Sequence, residues 1–334
     1  MRSCWRTGTF RSSVSDPPRS VKRAIVFATL VLLGAAAPLA AQRPALPDSE
    51  RLAIAEAYRL AAASADSIWP GWGAVPFEIL LVATDHEFLV RPARVPDGFE
   101  LLGRDSVLGQ DVWLRPRSLA PDLLATFPVF GPPATVVVGG IAATAKTRSG
   151  WVIALLHEHF HQLQMGDSDY VAAAAALDLA RDDSTGMWML QYPFPYDSEP
   201  VRRAFDRLSV AVAGALTAPS EDAFVTRVAR VPVALADFLG QLSPADQRYF
   251  WFQVWQEGVS RYTELRVATA AGPAYAELAR ALRASIERGL AEPELARRRR
   301  VSFYDLGAGL ALVLDQTDPS WRERYRTNKF APLF

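Results

Sequence analysis

Three of the four histidines in this 334-residue chain lie within five positions, in the stretch ALLHEHFHQ. His157 and His161 are four residues apart, and Glu158 directly follows the first of them. On an α-helix, side chains at this spacing lie on one face about one turn apart, so both imidazoles can reach one metal ion. The pattern is H-E-x-x-H, in which two histidines bind Zn²⁺ and the glutamate acts as a general base. It favours a metal site over a polar helix face, whereas His159 points about 200° away from His157 and cannot share that metal.

A catalytic zinc site needs a third protein ligand and one open position. The segment WQEGVSRYTE offers Glu257, and Gly258 after it would let two helix backbones approach closely. Two other assignments stay open: Glu257 pairs only with Arg261 at i, i+4, or His86, the remaining histidine, is the ligand. Glu264, on the same face as Glu257, is expected to pair with Arg261 or to accept a hydrogen bond from a ligand histidine.

Both motif segments fall in predicted helices. Ser149 and Gly150 open a pattern without a helix breaker that continues to Met165, and Gly166 supplies the stop. The second segment lies in a helix predicted over 244–270, whose Ser-Pro-x-Asp start is typical of a helix N-terminus. The metal site is therefore expected where two helices pack together.

The rest of the chain predicts an α+β fold. Before the motif, one helix is expected over 49–67. Strand-length apolar runs follow it, and strands are expected over 77–83, 107–114 and 135–140. After the motif the pattern is almost wholly helical, with an alanine-rich segment at 169–181, an aromatic loop at 182–198 and helices over 199–216, 220–240, 244–270 and 274–289. We therefore expect a mixed or antiparallel sheet lobe at 42–148 and a mostly helical lobe at 149–334. The two lobes form one catalytic unit, with the active site in the cleft between them.

The charge balance excludes a general attraction to nucleic acid, because the chain has 36 basic and 36 acidic residues. The one dense charged run is Arg297–Arg300, which follows Glu292 and Glu294. We interpret this run as a solvated helix end rather than a basic binding patch.

The N-terminus predicts export. Basic residues precede a short apolar run at 24–33, and Pro38 and small residues follow it, as in a secretory signal peptide over residues 1–41. An uncleaved membrane anchor is the alternative, but the run is at the lower limit for spanning a bilayer. The only cysteine, Cys4, falls in this segment, so the mature chain would have no disulfide. We expect a periplasmic or secreted protein with no stable membrane insertion after cleavage.

The motifs together resemble the gluzincin metallopeptidases, the superfamily of thermolysin, the zinc aminopeptidases and the clostridial collagenases. The matching residues are His157, Glu158 and His161 in LLHEHFHQ, and Glu257 in WQEGVSRY. The second segment is similar to the E-G-x-x-x-Y segment of collagenases and glycyl aminopeptidases. The segment FYDLGAG, with Tyr304, is similar to the Tyr-x-x-Gly-Ala element of the aminopeptidases.

The resemblance implies a zincin-like fold and one Zn²⁺ per chain, held by His157, His161 and Glu257. It implies hydrolysis of a peptide or protein substrate by a zinc-bound water, with Glu158 as general base. Tyr304, or else Tyr262, would stabilise the oxyanion.

The strand at 136–140 resembles the edge strand that pairs with substrate backbone, which makes Val138, Gly139 and Gly140 predicted substrate-binding residues. Two alternative functions stay open: a zinc amide hydrolase acting on cell-wall peptide, and a zinc-stabilised binding protein without turnover. The intact Glu158 disfavours the second, because a purely structural zinc site needs no base.

Overall fold

The apolar runs of the first half form one six-stranded sheet in the computed structural model, which describes residues 44–183 and 185–334. The strands are β1 (Ile79–Val82), β2 (His86–Val90), β3 (Glu100–Asp105), β4 (Gln110–Pro116), β5 (Leu124–Phe127) and β6 (Thr135–Gly139). Their order is β3-β4-β2-β1-β6-β5, and all neighbours are antiparallel except β1 and β6. The sequence predicted β1, β4 and β6, whereas β2, β3 and β5 were missed.

The centre of the sheet is buried on both faces. Ile79 and Leu81 of β1 belong to the main hydrophobic core, and Leu80 and Val82 belong to a smaller core on the opposite face. A strand covered on both sides has a continuous apolar run rather than an alternating one, as β1 and β6 do.

Apart from α1, which precedes the sheet, the α-helices follow β6 and occupy most of that part of the chain. They are α1 (Asp48–Ile68), α2 (Arg148–Met165), α3 (Tyr170–Ala176), α4 (Trp188–Gln191), α5 (Glu199–Leu216), α6 (Glu221–Val228), α7 (Arg230–Gly240), α8 (Pro244–Gln253), α9 (Val259–Ala270), α10 (Ala276–Ala291), α11 (Leu295–Arg298), α12 (Ser302–Thr317) and α13 (Trp321–Thr327). The sheet and the helices together confirm an α+β fold.

Two predicted helices are interrupted. The helix predicted over 220–240 is two helices, α6 and α7. The helix predicted over 244–270 consists of α8 and α9 with a π-helical turn, Val254–Gly258, between them. π-Helical turns insert one extra residue and often occur at functional sites. This one contains Glu257.

The helix α2 runs through the middle of the molecule. The side chain of Thr147 accepts a hydrogen bond from the backbone N–H of Gly150 and caps its start, and its end is at Met165 as predicted. Every residue from Trp151 to Gln164 is buried. Helices α1 and α9 and strands β5 and β6 pack around it. Polar residues on α2 must therefore find partners inside the protein.

Residues Pro44–Phe334 form one compact unit. The predicted signal peptide at 1–41, with Cys4, lies outside the described residues. Within the described ranges, no helix is long and apolar enough to cross a membrane.

Candidate metal centre

The structure brings the H-E-x-x-H side chains together on α2. One ligand atom each from His157, Glu158 and His161 lies within 4.8 Å of the others, so these three residues could hold a metal ion. The two Nε2 atoms of the histidines are 3.1 Å apart. His86 begins β2, opposite Pro116, and is not part of this group.

The other ring nitrogen of His157 identifies its tautomer. Nδ1 lies 2.7 Å from Oε1 of Glu264, a carboxylate that also accepts a hydrogen bond from Arg261. Burial alone would raise the pKa of Glu264, but Arg261 and His157 lower it to about 2, so it is an acceptor only. Nδ1 therefore carries a proton, and in the neutral ring Nε2 has a bare lone pair. Glu264 makes both contacts that the sequence suggested for it.

The tautomer of His161 is fixed by a glutamine. The amide nitrogen of Gln164 has two protons and lies within hydrogen-bond distance of three acceptors, the backbone oxygens of Trp255 and Gln256 and the hydroxyl of Tyr325, so its Oε1 faces His161. Nδ1 of His161 lies 2.5 Å from that oxygen and donates to it. The Nε2 of His161 is therefore also a bare acceptor in the neutral ring.

Two lone pairs pointing at one another across 3.1 Å in a buried site are unfavourable unless a cation lies beside them. The pKa of His157 is also shifted in favour of a positive charge at this position. Burial would lower its pKa, but Glu257 and Glu264 raise it to about 10. The group is arranged to hold a positive charge.

Glu257 approaches both histidines from the π-helical turn. Its Oε2 lies 3.6 Å from Nε2 of His157 and 3.7 Å from Nε2 of His161. Burial alone would raise the pKa of Glu257, but the two histidines lower it well below its usual value, so the carboxylate is ionised. Two carboxylates, Glu158 and Glu257, thus lie beside the imidazole pair.

Gly258 permits a close approach, but not the one that the sequence suggested. A Cβ on Gly258 would lie 2.6 Å from the Cα of Gly307 on α12, and a Cβ on Gly307 would lie 2.7 Å from the Cα of Gly258. The prediction that Gly258 provides the close approach to the histidine helix α2 is therefore wrong, although α9 does pack against α2. The glycine pair instead seats the Glu257 turn against α12, which carries Tyr304.

Glu158 is held by the sheet. The hydroxyl of Thr126 on β5 lies 2.9 Å from Oε2 of Glu158 and 2.9 Å from its backbone oxygen. A hydroxyl has one proton and can donate to either of these acceptors. β5 is the edge strand at this end of the sheet, so the edge strand lies directly beside the Glu158 carboxylate.

Of the two tyrosines predicted near the site, only Tyr304 is there. Burial and the charge of Glu257 raise the pKa of Tyr304 well above its usual value, and Arg300 donates a hydrogen bond to its hydroxyl. The hydroxyl of Tyr262 instead donates to Asp315, 2.9 Å away, and accepts from Arg322. Tyr262 is fully buried and packs against tryptophan side chains, so the prediction that it faces the site is wrong.

The predicted substrate strand is also corrected. β6 is not an edge strand, because Val138 pairs with Leu124 of β5 on one side and Leu81 of β1 on the other. The backbone N–H of Gly139 donates to Leu123, and its oxygen accepts from Trp151. Gly140 lies beyond the end of the strand. A strand paired on both sides cannot add a further strand, so the edge at this side of the sheet is β5, and the prediction that Val138, Gly139 and Gly140 form an edge strand is wrong.

The arginine run 297–300 is not a uniformly solvated helix end. Arg297 is exposed, but Arg298 forms an ion pair with the buried Asp305. Nη1 of Arg300 lies 3.8 Å from Oε1 of Glu257. A run of consecutive arginines in the sequence does not show which of them, here Arg298 and Arg300, point toward carboxylates.

The contacts of the site that were missed from the sequence include three with direct bearing on its chemistry: Gln164 with His161, Thr126 with Glu158, and Arg300 with Glu257. Only Gln164 had a local signal, because a glutamine three residues after a histidine on a helix lies within reach of its ring. The other two depend on how distant segments pack.

His159 lies on the opposite side of α2, as predicted. Its ring stacks on Phe77, with centroids 3.8 Å apart, and its Nδ1 lies 2.8 Å from Oε1 of Gln162. Burial, with a smaller contribution from Arg91, lowers its pKa to about 4. His159 is a neutral core residue.

The residues of this centre could hold one metal ion beside the carboxylate of Glu158 and the hydroxyl of Tyr304. No protein-family model, curated protein or solved structure matches the chain.

Proposed function

We propose that the protein is an exported zinc-dependent metallopeptidase of the gluzincin type. The observation that carries this proposal is the meeting of the two imidazole Nε2 atoms, 3.1 Å apart, with a carboxylate oxygen of Glu257 that lies 3.6 and 3.7 Å from them. This donor set suits a metal cation, and two nitrogens with one oxygen are typical ligands of Zn²⁺.

The spacing of the three atoms fits a zinc ion with Glu257 as its third protein ligand. Around a tetrahedral ion with bonds of about 2.1 Å, ligand atoms lie about 3.4 Å apart. The triangle formed by His157, His161 and Glu257 has edges of 3.1, 3.6 and 3.7 Å. Three protein ligands leave a fourth position open, as in catalytic zinc sites. One Zn²⁺ per chain, held by these residues, is the proposed cofactor.

Glu158 has the position of a general base. Its carboxylate lies beside the histidine pair, and the hydroxyl of Thr126 lies 2.9 Å from its Oε2. When bound, Zn²⁺ would polarise the scissile carbonyl and make an attacking water more acidic. Glu158 then accepts the proton of that water and delivers it to the leaving amine.

Tyr304 is the proposed oxyanion donor. Its raised pKa keeps the hydroxyl protonated, and a hydrogen bond donated by Arg300 holds the hydroxyl oxygen in place. A donor held in place before the reaction stabilises developing negative charge without a cost of reorganisation.

The substrate would lie along β5. The outer side of this strand has no partner strand in the described sheet, and an extended peptide can add to such an edge. Thr126 on the same strand contacts Glu158, so a peptide bound there would pass beside the base.

The test combines metal analysis with one substitution. The purified mature chain should contain about one zinc per molecule and lose its peptidase activity with a chelator. Glu158→Gln should keep fold and zinc but lose several orders of magnitude in rate, because only the proton acceptor is removed. A zinc-free protein with full activity in phenanthroline, or wild-type turnover by Glu158→Gln, would overturn the proposal.

A further inference from the structure

A cavity of about 410 Å³ is lined by Arg300, whose Nη1 lies 3.8 Å from Oε1 of Glu257, a proposed metal ligand. Aromatic side chains of the loop before α5 form one wall, among them Tyr192, Phe194 and Tyr196. Three consecutive arginines, 298–300, form another. Within the described part of the chain, no acidic residue lines this cavity. Its walls therefore suit an anionic group carried on an apolar or aromatic neighbour.

Two of the three arginines already have anionic partners. Arg298 pairs with Asp305, and Arg299 lies 3.0 Å from Asp197. Among the residues that the structure describes, the one carboxylate paired with Arg300 is that of Glu257, with Nη1 3.8 Å from Oε1. If Glu257 binds a metal ion, its negative charge is shared with that ion, and Arg300 is left without a full counter-charge.

The geometry of Arg300 leaves its binding edge open. Nη1 donates to Tyr304 and faces Glu257. Its Nε and Nη2 atoms have no hydrogen-bond partner among the described residues, and neither is a buried atom lacking one. These two nitrogens form the fork that binds a carboxylate through two parallel hydrogen bonds.

We propose that Arg300 binds a carboxylate of the substrate from within this cavity, so that the enzyme selects peptides with a carboxylate close to the scissile bond. This inference rests on the proposed function. A carboxylate on the open fork would lie roughly 7–9 Å from Glu257, which corresponds to about two residues of extended peptide. The carboxylate is either the C-terminus of the peptide or an Asp or Glu side chain.

Direct binding tests this without turnover. The probes are N-acetyl-Ala-Phe with a free carboxylate, N-acetyl-Ala-Phe-amide, and N-acetyl-Glu-Phe-amide, titrated calorimetrically into zinc-loaded and chelator-treated protein. The free acid should bind roughly ten- to a hundredfold more tightly than its amide, the range expected for a charge-assisted bidentate pair. The Glu probe should match the acid if side chains are accepted, and should match the amide if only a C-terminus fits.

Arg300→Gln should abolish the preference for the acid, and Arg300→Lys, which keeps the charge but not the fork, should keep only part of it. Arg299→Gln is the matched control, because Arg299 lines the same cavity but is paired with Asp197 and should leave the preference unchanged. Chelation should weaken binding of the acid, since Glu257 then competes for Arg300, without abolishing its preference over the amide.

Equal binding of acid and amide by the wild-type protein would overturn the inference. A preference that survives in Arg300→Gln and disappears with the chelator would also overturn it, because the carboxylate would then bind the metal. Neither result affects the proposed function, which depends on zinc content and on Glu158→Gln. Conversely, a chain without bound zinc would contradict the proposed function even if Arg300 bound carboxylates.

Discussion

His157 and His159 are two residues apart on one helix, and their surroundings differ as much as those of two histidines in unrelated proteins. His157 faces two carboxylates, which raise its pKa to about 10 despite its burial. His159 stacks on Phe77 and faces no carboxylate, and burial lowers its pKa to about 4. Both rings donate from Nδ1 to a side-chain oxygen.

The difference shows that burial alone does not decide the charge of a histidine. Both rings are buried, and desolvation opposes protonation of each. On one side of α2, the carboxylates carried by α9 and the π-helical turn raise the pKa of the histidine instead of letting burial lower it. One face of α2 is thus suited to a cation, and the other is part of the apolar core.

The largest expected effect is a difference in zinc content between substitutions on the two faces of α2, the one with His161 and the one with His159. His161→Ala removes one of three proposed ligands and should leave the purified protein with almost no zinc. His159→Phe should keep about one zinc per chain, because Phe preserves the stacking surface toward Phe77 and the ring contacts no ligand. Metal analysis after dialysis compares the two proteins. A zinc-free His159→Phe protein with an intact fold would mean that the comparison between the faces is wrong.

The next largest effect is a difference in zinc binding between two carboxylates beside His157, those of Glu257 and Glu264. Glu257→Gln should lose most of the bound zinc, because the charged oxygen that lies 3.6 and 3.7 Å from the imidazole nitrogens is removed. Glu264→Gln should bind zinc only about 10–100-fold more weakly, since Glu264 contacts the far nitrogen of His157. The two substitutions are chemically identical and seven residues apart. If titration shows Glu264→Gln empty and Glu257→Gln loaded, Glu257 is not the ligand.

A smaller effect is expected at Thr126. Thr126→Val should keep the zinc and lower kcat by about tenfold, because the Glu158 carboxylate loses one hydrogen bond that holds it beside β5. Thr126→Ser retains the hydroxyl and should recover most of the rate. Equal loss in the Ser and Val variants would indicate that the β5 backbone, and not the hydroxyl, had been disturbed.

The sequence predicted which side chains meet at the candidate metal centre better than it predicted their surroundings, because the first depends on local spacing and the second on how distant segments pack. The spacing of His157 and His161 is local, since any helix brings them together. The α+β class also follows from local periodicity. Arg300 reaches Glu257 only because Gly258 and Gly307 let α12 cross the π-helical turn, and no single segment shows this. The edge position of β5 likewise depends on the order of all six strands.

The smallest expected effect is a pH-dependent difference in stability on the apolar face. The pKa of His159 is about 4 in the folded protein and about 6.5 in an unfolded chain. Between these values the unfolded state binds more protons, so stability falls as the pH is lowered from 6.5 toward 4 and is unaffected by this group above 6.5. The full loss is about 3 kcal/mol. His159→Phe cannot be protonated, so the free energy of unfolding of the wild type relative to His159→Phe should fall by most of this amount between pH 7 and pH 4. Protonation of the metal face is common to both proteins and cancels in the difference. Denaturant unfolding of both proteins at several pH values measures it, and a difference independent of pH would show that His159 is not held neutral by burial.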